Sequence, residues 1–234
     1  MNLKSPFWII LAIFFTSRLL NIGAFTLIDE ISGNERNGLT DRIITYFASN
    51  YDSGWYTSIA ESGYDTDSKS LESGQTKYAF YPALPYAARG LGGLLGIEPR
   101  LAGILISNLS FLVALFLFRV YCRERGATER VIIKATLLLA FCPMYFLFSS
   151  FYTESLFLVL TLAGLVCFEQ KKFQSAAFFS ALLTSVRSNG LFIIAYYGWD
   201  ILKELILSQR EKKPFKQFLQ ANSGRIFAIV ATPI

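Results

Sequence analysis

The chain has no histidine, three cysteines and few charged residues among its 234 positions. Without histidine, a serine–histidine triad, a histidine general base and a histidine-ligated zinc site are all excluded. Any catalysis must therefore use carboxylates, arginine, lysine, tyrosine or backbone groups. Cys122, Cys142 and Cys167 fall within or near the inner ends of hydrophobic segments. This placement argues against a disulfide framework and favours a packing role.

Charged residues make up only 17% of the sequence, whereas hydrophobic residues make up 53%. One water-soluble core of this length cannot bury so much apolar side chain, so lipid must cover part of it. Helices satisfy every backbone group inside lipid, and the alternation of a membrane barrel is not visible. The predicted fold is therefore all-α, a polytopic membrane helical bundle forming a single transmembrane domain over residues 1–234.

Hydrophobic runs predict about six to seven membrane spans. They cover approximately 6–28, 101–121, 131–150, 152–168, 173–187 and 190–207, with a last span that begins near Ile226 and is cut off by the end of the chain. Residues 82–97 are apolar but short and glycine-rich, which predicts an interfacial or re-entrant helix. Two spans, at 152–168 and 173–187, are short, so their outer ends should leave a polar recess that opens outward.

Basic residues in the connections assign the two sides of the membrane. Lys4 and the stretches 119–130, 169–172 and 203–216 carry lysine or arginine and are predicted to be cytoplasmic. The alternating connections are then extracytoplasmic: residues 29–80, the loop around Tyr152 and the turn at Arg187. Because the basic residues are spread over short loops, topology explains the net charge of +5 and no nucleic-acid partner is predicted.

The first outer loop contains a predicted amphipathic helix over residues 50–63. Tyr51, Trp55 and Ile59 would form its apolar face, and Asn50 is a plausible N-cap. This arrangement puts Asp52 in the first turn, next to the bilayer and to any lipid head group that arrives there. Two interpretations stay open: Asp52 is a catalytic carboxylate, or it only complements the helix dipole.

Two further charged residues lie near the predicted recess. Glu154 stands at the outer start of a span, where a carboxylate has both a structural and a functional explanation. Arg187 lies near the middle of the apolar stretch 173–207, where an unpaired cation is costly. Asn189 and Gly190 form a helix-stop signal, so Arg187 is predicted to mark a break that faces the recess.

Other cations have two explanations each. Arg18, inside the first span, either has a function or pairs with a carboxylate of the recess. Lys77 and Arg89 either attract an anionic head group or extend along apolar surface towards water. Tyr152 has the position of an interfacial anchor, and Pro143 predicts a kink.

Together these residues predict a recess that holds two carboxylates and at least one arginine. Such a set suits a reaction in which a carboxylate activates a hydroxyl while a cation holds a phosphate leaving group. The donor would be linked to lipid, because soluble nucleotide sugars are not expected outside and no phosphate-binding glycine loop is present.

Five segments along the chain carry a resemblance to a known family. They are residues 51–56 (YDSGWY), 59–64 (IAESGY), 79–85 (AFYPALP) followed by Arg89, 151–157 (FYTESLF) and 187–190 (RSNG). Their types and order resemble the PIG-V-like mannosyltransferases of the GT-C superfamily of membrane glycosyltransferases. Tyr51, where the family more often has tryptophan, and the varied proline segment are mild departures.

The resemblance implies an inverting glycosyltransferase that takes a sugar, usually mannose, from a polyprenyl- or dolichyl-phosphate donor. Asp52 matches the family's general base. Glu154 and Arg187 would help to shape the acceptor and donor-phosphate sites, and Arg89 follows the proline segment as in bacterial members. The substrate-binding residues we expect are Glu154, Arg187, Arg89, Tyr152, Trp55 and Lys77.

The expected partners are a polyprenyl-phosphate sugar, a lipid or glycan acceptor and membrane lipid. The compact form favours a bacterial-type protein of the plasma membrane, whereas a eukaryotic member would lie in the endoplasmic reticulum, with an extracytoplasmic active site in both cases. No cofactor or metal is expected. A divalent ion could bind Asp52 with Asp65, Asp67 or Glu154, but the loop has no known calcium spacing.

Two other functions stay open. A lipid or polyprenyl-phosphate transporter would use the same cationic recess without a base. A non-catalytic remnant is the other, because enzymes of this family normally continue through several more spans, whereas this chain ends at Ile234.

Overall fold

A computed structural model describes residues 6–33, 38–64, 76–212 and 214–232. All secondary-structure elements of these residues are helices, which confirms the all-α prediction. The α-helices within the described ranges are α1 (Pro6–Ser32), α2 (Leu39–Ala48), α3 (Ser53–Ser62), α4 (Ala83–Leu95), α5 (Pro99–Glu124), α6 (Glu129–Ala140), α7 (Glu154–Glu169), α8 (Phe173–Thr184), α9 (Ile193–Arg210), α10 (Phe215–Ala221) and α11 (Ser223–Val230). Short 3₁₀ turns cover Lys77–Ala79, Tyr145–Phe148 and Ser188–Phe192.

Two of the described helices, α1 and α5, are long and apolar enough to cross a membrane. Helix α8 is apolar but shorter. Large apolar side chains also point away from the protein, among them Leu19, Leu138 and Phe192, each at least two-thirds exposed. Such exposure favours contact with lipid over contact with water. The helices therefore fit a membrane bundle, and the number of spans stays a prediction.

The outer loop contains more helix than the sequence predicts. Helix α1 continues to Ser32, so the start of the 29–80 loop is helical. Helix α2 was not predicted at all, although Ile44, Phe47 and Ala48 form its buried face at helical spacing. Phe47 and Ala48 pack on α3, α4 and α5 in one apolar cluster, which fixes the loop against the bundle.

The predicted span over residues 131–150 is wrong as a single helix. Helix α6 ends at Ala140, and a 3₁₀ turn follows over Tyr145–Phe148. Pro143 lies between them, and a proline removes a backbone donor and clashes with the preceding turn. The result is an irregular stretch, residues 141–153, that leads directly into α7.

Helix α3 also differs from its prediction. It begins at Ser53, with Asp52 at the N-cap position, so Asn50 is not the cap. Its buried face comprises Ser53, Tyr56, Ile59 and Ala60. Tyr51 lies outside the helix and is 86% exposed. The predicted apolar face is therefore wrong at Tyr51 and correct at Ile59. An aromatic residue such as tyrosine is suited both to a core and to an exposed binding surface, so its type alone does not decide between them.

Gly103 of α5 permits a close approach by the irregular stretch. A Cβ atom at this position would lie 2.2 Å from the ring of Phe151, which is fully buried. Only glycine therefore lets Phe151 pack here, and Phe151 adjoins Tyr152 in the sequence.

A substitution of Gly103 by alanine is expected to lower the free energy of unfolding by about 1–3 kcal/mol, because the Phe151 ring must move. Gly198→Ala is the matched control, since Gly198 lies in α9 with no atom near its missing Cβ. Thermal unfolding of both variants in detergent checks the prediction. Equal melting temperatures for the two variants would contradict it.

Candidate active site

The site is built around the chain segment Ser149–Thr153, which precedes α7. Three helices hold this segment. The Phe151 N–H donates to the carbonyl of Phe47 on α2 at 2.6 Å. On α5, the Asn108 side chain donates to the Ser149 carbonyl at 3.2 Å and the Ser107 hydroxyl donates to the Tyr152 carbonyl at 3.3 Å. The backbone of the segment is therefore fixed by contacts that are distant in sequence.

Arg18 of α1 also holds this segment. Its Nη1 donates to the Ser149 hydroxyl at 2.7 Å, and its guanidinium lies over the Phe111 ring at 4.7 Å from the centroid. Asn21 donates to the same hydroxyl at 3.1 Å. Among the described residues Arg18 has no carboxylate partner, so the predicted pairing with an acid of the recess is wrong. A serine and aromatic rings stabilise this buried cation instead.

Asp52 lies immediately before α3 and points to solvent. Its backbone N–H donates to the Tyr152 hydroxyl at 3.0 Å, and that hydroxyl donates to the Asn50 carbonyl at 3.3 Å. The carboxylate makes no capping bond to α3, is exposed, and has no hydrogen-bond partner within the described ranges. The backbone of Asp52 is thus anchored while its carboxylate is left available, as a base needs to be.

Glu154 and Arg187 form an ion pair. Nη2 of Arg187 donates to Oε1 of Glu154 at 2.5 Å, and both side chains are partly buried. Oε2 of Glu154 is buried and has no hydrogen-bond partner among the described residues. The predicted break at Arg187 is present, because α8 ends at Thr184 and a 3₁₀ turn begins at Ser188.

Tyr56 links these groups. Its side chain is buried on α3, one turn after Asp52. Burial raises the pKa of its hydroxyl, and the charges of Arg187, Glu154 and Asp52 also act on it. One buried hydroxyl is therefore within electrostatic range of both carboxylates and the arginine. Asp52 beside α3, Glu154 at the start of α7 and Arg187 before α9 all act on this one hydroxyl, and the outward-opening recess stays a prediction.

Comparison with known proteins gives an extensive family match. The Mannosyltransferase (PIG-V) family matches residues 7–231. The chain belongs to this family. It is also similar to GPI mannosyltransferase 2 of Schizosaccharomyces pombe, with 28% identity over 125 residues. That alignment covers 50% of this chain and 27% of the relative, so the chain matches about a quarter of the relative's length. No solved structure gives a significant match.

Two of the predicted substrate-binding residues of this PIG-V family member, Arg89 and Lys77, lie away from Asp52. Arg89 donates to the carbonyls of Ala60 and Glu61 at 2.6 and 2.7 Å, and Lys77 donates to the carbonyl of Gly63 at 3.1 Å. Both cations therefore bind the C-terminal end of α3, where the helix dipole favours positive charge. At 1.5 Å per residue, that end is about 12–15 Å along the axis from Asp52.

Trp55 has a packing contact. Its ring stacks on Phe80, with 5.5 Å between the centroids and 17° between the planes. Phe80 also contacts Tyr56 edge to face. Trp55 thus supports the residues around Asp52, and its described contacts are to protein side chains.

Metal ligands are not gathered at this site in the part of the chain that is described. Those residues contain no group of three or more histidine, cysteine, aspartate and glutamate side chains that could hold an ion. Of the acids considered with Asp52, Asp65 and Asp67 lie outside the described residues.

Sequence reasoning missed Tyr56 and the anchoring segment. The signal for Tyr56 was available, because residues four apart in a helix share a face and Asp52 precedes Tyr56 by four. No local signal marks Ser149, whose partner Arg18 is 131 positions away.

Proposed function

We propose that the chain transfers mannose from a polyprenyl- or dolichyl-phosphate donor to an acceptor hydroxyl, with Asp52 as the general base. Membership of the mannosyltransferase family supports mannosyl transfer. The observation that carries the assignment of the base is the exposed Asp52 carboxylate, which has no hydrogen-bond partner in the described ranges although its backbone is fixed by Tyr152. A base must meet a substrate hydroxyl directly, and this carboxylate can do so.

The reaction needs one proton transfer and one displacement. The acceptor hydroxyl gives its proton to Asp52 while its oxygen attacks the anomeric carbon of the donor sugar. The bond between that carbon and the phosphate oxygen breaks, and polyprenyl phosphate leaves from the opposite face. The configuration at the anomeric carbon is inverted, and the new glycosidic bond replaces the bond to phosphate. The leaving phosphate carries the additional negative charge.

Arg187 is the group in this proposal that stabilises the leaving phosphate. A guanidinium has five N–H donors in a fixed geometry, so Arg187 can hold Glu154 with one N–H and a phosphate with others. Its side chain is 35% exposed, which leaves room for this approach. Glu154 fixes the orientation of Arg187 through the bond from Nη2 to Oε1.

The membrane arrangement belongs to the same proposal. The chain would be a multi-pass membrane protein, and Asp52, Glu154 and Arg187 would face the extracytoplasmic side, or the lumen in endoplasmic reticulum. The two long apolar helices support membrane insertion. Arg125 and Glu169 form an ion pair at 3.0 Å. This pair joins the connections 119–130 and 169–172, which are both predicted to be cytoplasmic because they carry basic residues.

The donor class is tested in membranes that contain the chain. Radiolabelled mannose is supplied either as polyprenyl-phosphate mannose or as a soluble nucleotide sugar, with synthesis of the lipid donor blocked. Transfer to acceptors is expected only from the lipid donor, because the site has a cation for a single phosphate and no nucleotide-binding loop. Equal transfer from the nucleotide sugar would contradict the proposal.

A further inference from the structure

A cavity of about 590 Å³ adjoins Asp52 on the side of α1 and α2. Two of its lining residues, Asn50 and Tyr51, directly precede Asp52, and a third, Tyr152, accepts the hydrogen bond from the Asp52 backbone. The cavity therefore lies beside the backbone of Asp52, whose carboxylate is exposed. The volume is within the range of about 300–1,000 Å³ that is usual for small-ligand sites.

The lining of this cavity is aromatic and uncharged. Five of the seven lining residues are aromatic, and the other two are Asn50 and Ser150. Phe25 and Tyr46 stack on each other, with 4.4 Å between their centroids, and so form one rigid wall. Because no carboxylate, lysine or arginine of the described residues lines it, the cavity is poorly suited to the phosphate of the donor.

Tyr51 is the unusual residue of the lining. Its φ angle is 52°, in the left-handed region that bulky residues rarely adopt. Its ring is 86% exposed, so burial of the side chain does not compensate for this conformation. Local bonds keep the backbone in place, including the bond from the Asn50 side chain to the Thr45 carbonyl at 3.2 Å. The chain thus holds an exposed aromatic ring next to a free carboxylate at a conformational cost.

The chemistry of the lining selects the ligand. A pyranose ring has apolar C–H faces that pack on aromatic rings and a rim of hydroxyls that needs polar partners. Asn50 and Ser150 act as donors in their bonds to the carbonyls of Thr45 and Phe146. The side-chain oxygens of both residues can therefore accept hydrogen bonds from a ligand. An alkyl chain would gain nothing from these two groups.

We propose that this cavity is the acceptor subsite, which binds a neutral sugar ring of the acceptor, and that Tyr51 is the platform on which this ring stacks. The proposal rests on the proposed function, because it needs Asp52 as the base. The acceptor then approaches Asp52 from the side of α1 and α2, whereas Arg187 lies outside the cavity lining and serves the donor. The sugar hydroxyl that reaches Asp52 is the one that is glycosylated.

Kinetics with octyl α-mannopyranoside as the acceptor test the platform. Tyr51→Ala is expected to raise the KM for this acceptor about tenfold and to leave the KM for polyprenyl-phosphate mannose unchanged. Tyr51→Phe, which keeps the ring, should stay within about twofold of wild type. Phe178→Ala is the control, because Phe178 is an exposed aromatic residue on α8, outside this lining. A change in the donor KM alone would overturn the proposal.

Equilibrium binding separates this inference from the proposed function. Tritiated octyl α-mannopyranoside is titrated onto the protein in nanodiscs without donor, with an octyl polyethylene glycol as competitor. Saturable binding that weakens in Tyr51→Ala and resists the competitor supports the subsite, even if no transfer occurs. Absent binding, binding unaffected by Tyr51→Ala or full competition by the octyl chain would overturn the subsite, while transfer in membranes could still hold.

The backbone strain at Tyr51 gives a second readout. Tyr51→Gly removes both the ring and the unfavourable φ angle, because glycine adopts positive φ freely. We expect a higher melting temperature than wild type together with about tenfold weaker binding of octyl α-mannopyranoside. If Tyr51 had a purely structural role, the Tyr51→Gly protein would melt at a lower temperature than wild type. That result would overturn the proposal.

Discussion

Replacement of Asp52 by asparagine is expected to lower kcat for mannosyl transfer by about 10²- to 10⁴-fold, which is the usual contribution of a general base. The amide cannot accept the proton of the acceptor hydroxyl, but it has the same size as the carboxylate. Because the Asp52 side chain is exposed and makes no capping bond, stability should not change. The loss should therefore appear in kcat, with little change in melting temperature or in the KM for the donor.

Asp41→Asn is the matched control for this measurement. Asp41 is also an exposed aspartate near the start of a helix in the outer loop, in the first turn of α2. If Asp52 only complemented the dipole of α3, the two substitutions would have similar small effects on stability and none on kcat. Steady-state transfer by both variants at equal protein levels distinguishes the two explanations. Full activity of Asp52→Asn would remove Asp52 from the mechanism.

Replacement of Arg187 by alanine is expected to lower kcat/KM for the lipid donor by about 10²- to 10³-fold, as for other groups that stabilise charge in a transition state. The same change leaves the partly buried Glu154 carboxylate without its partner. Stability should therefore also fall, by about 1–3 kcal/mol. Arg187→Lys keeps the charge but not the planar set of donors, so partial activity is expected.

A double variant separates the two effects. Adding Glu154→Gln to Arg187→Ala removes the unpaired charge and should restore most of the lost stability. Activity should stay low, because the phosphate still has no cation. Recovery of both stability and activity would show that Arg187 only holds the fold. Arg225→Ala is a control, since Arg225 forms a 2.8 Å ion pair with Asp200 elsewhere in the bundle.

Local sequence patterns account for much of this fold. The apolar runs predict α1 and α5, and the Asn189–Gly190 signal predicts the break at Arg187. These features follow from short-range physics: helical periodicity, the cost of a lone cation in apolar surroundings and the conformational freedom of glycine. The family resemblance of the five segments is confirmed by the match over residues 7–231.

Contacts between distant residues could not be predicted in the same way. The partner of Arg18 is a serine hydroxyl 131 positions away, and a search for charge complementarity would favour a carboxylate instead. The bond between the Asp52 backbone and the Tyr152 hydroxyl joins residues 100 positions apart. Both depend on where Pro143 ends the preceding helix, since the irregular stretch after it supplies Ser149 and Tyr152.

Lys77 and Arg89 show a second limit of sequence reasoning. A lysine or arginine near a membrane-associated helix is equally suited to a phosphate ligand and to a helix C-terminus. In the structure both cations donate to carbonyls at the C-terminal end of α3, and their role in substrate binding stays a prediction. For Asp52 the carboxylate makes no capping bond to α3, so the remaining structural explanation is its charge beside the helix dipole, which the comparison with Asp41→Asn tests.

The most direct test uses the purified chain in liposomes that contain no other protein. Polyprenyl-phosphate mannose carrying a radiolabel in the sugar is supplied with octyl α-mannopyranoside, and label is counted in the lipid donor and in the disaccharide product. The account predicts that wild-type protein moves label into product, with one polyprenyl phosphate released per transfer, and that Asp52→Asn moves almost none. Label that remains on the polyprenyl phosphate with correctly inserted wild-type protein, or equal transfer by the two proteins, would contradict it.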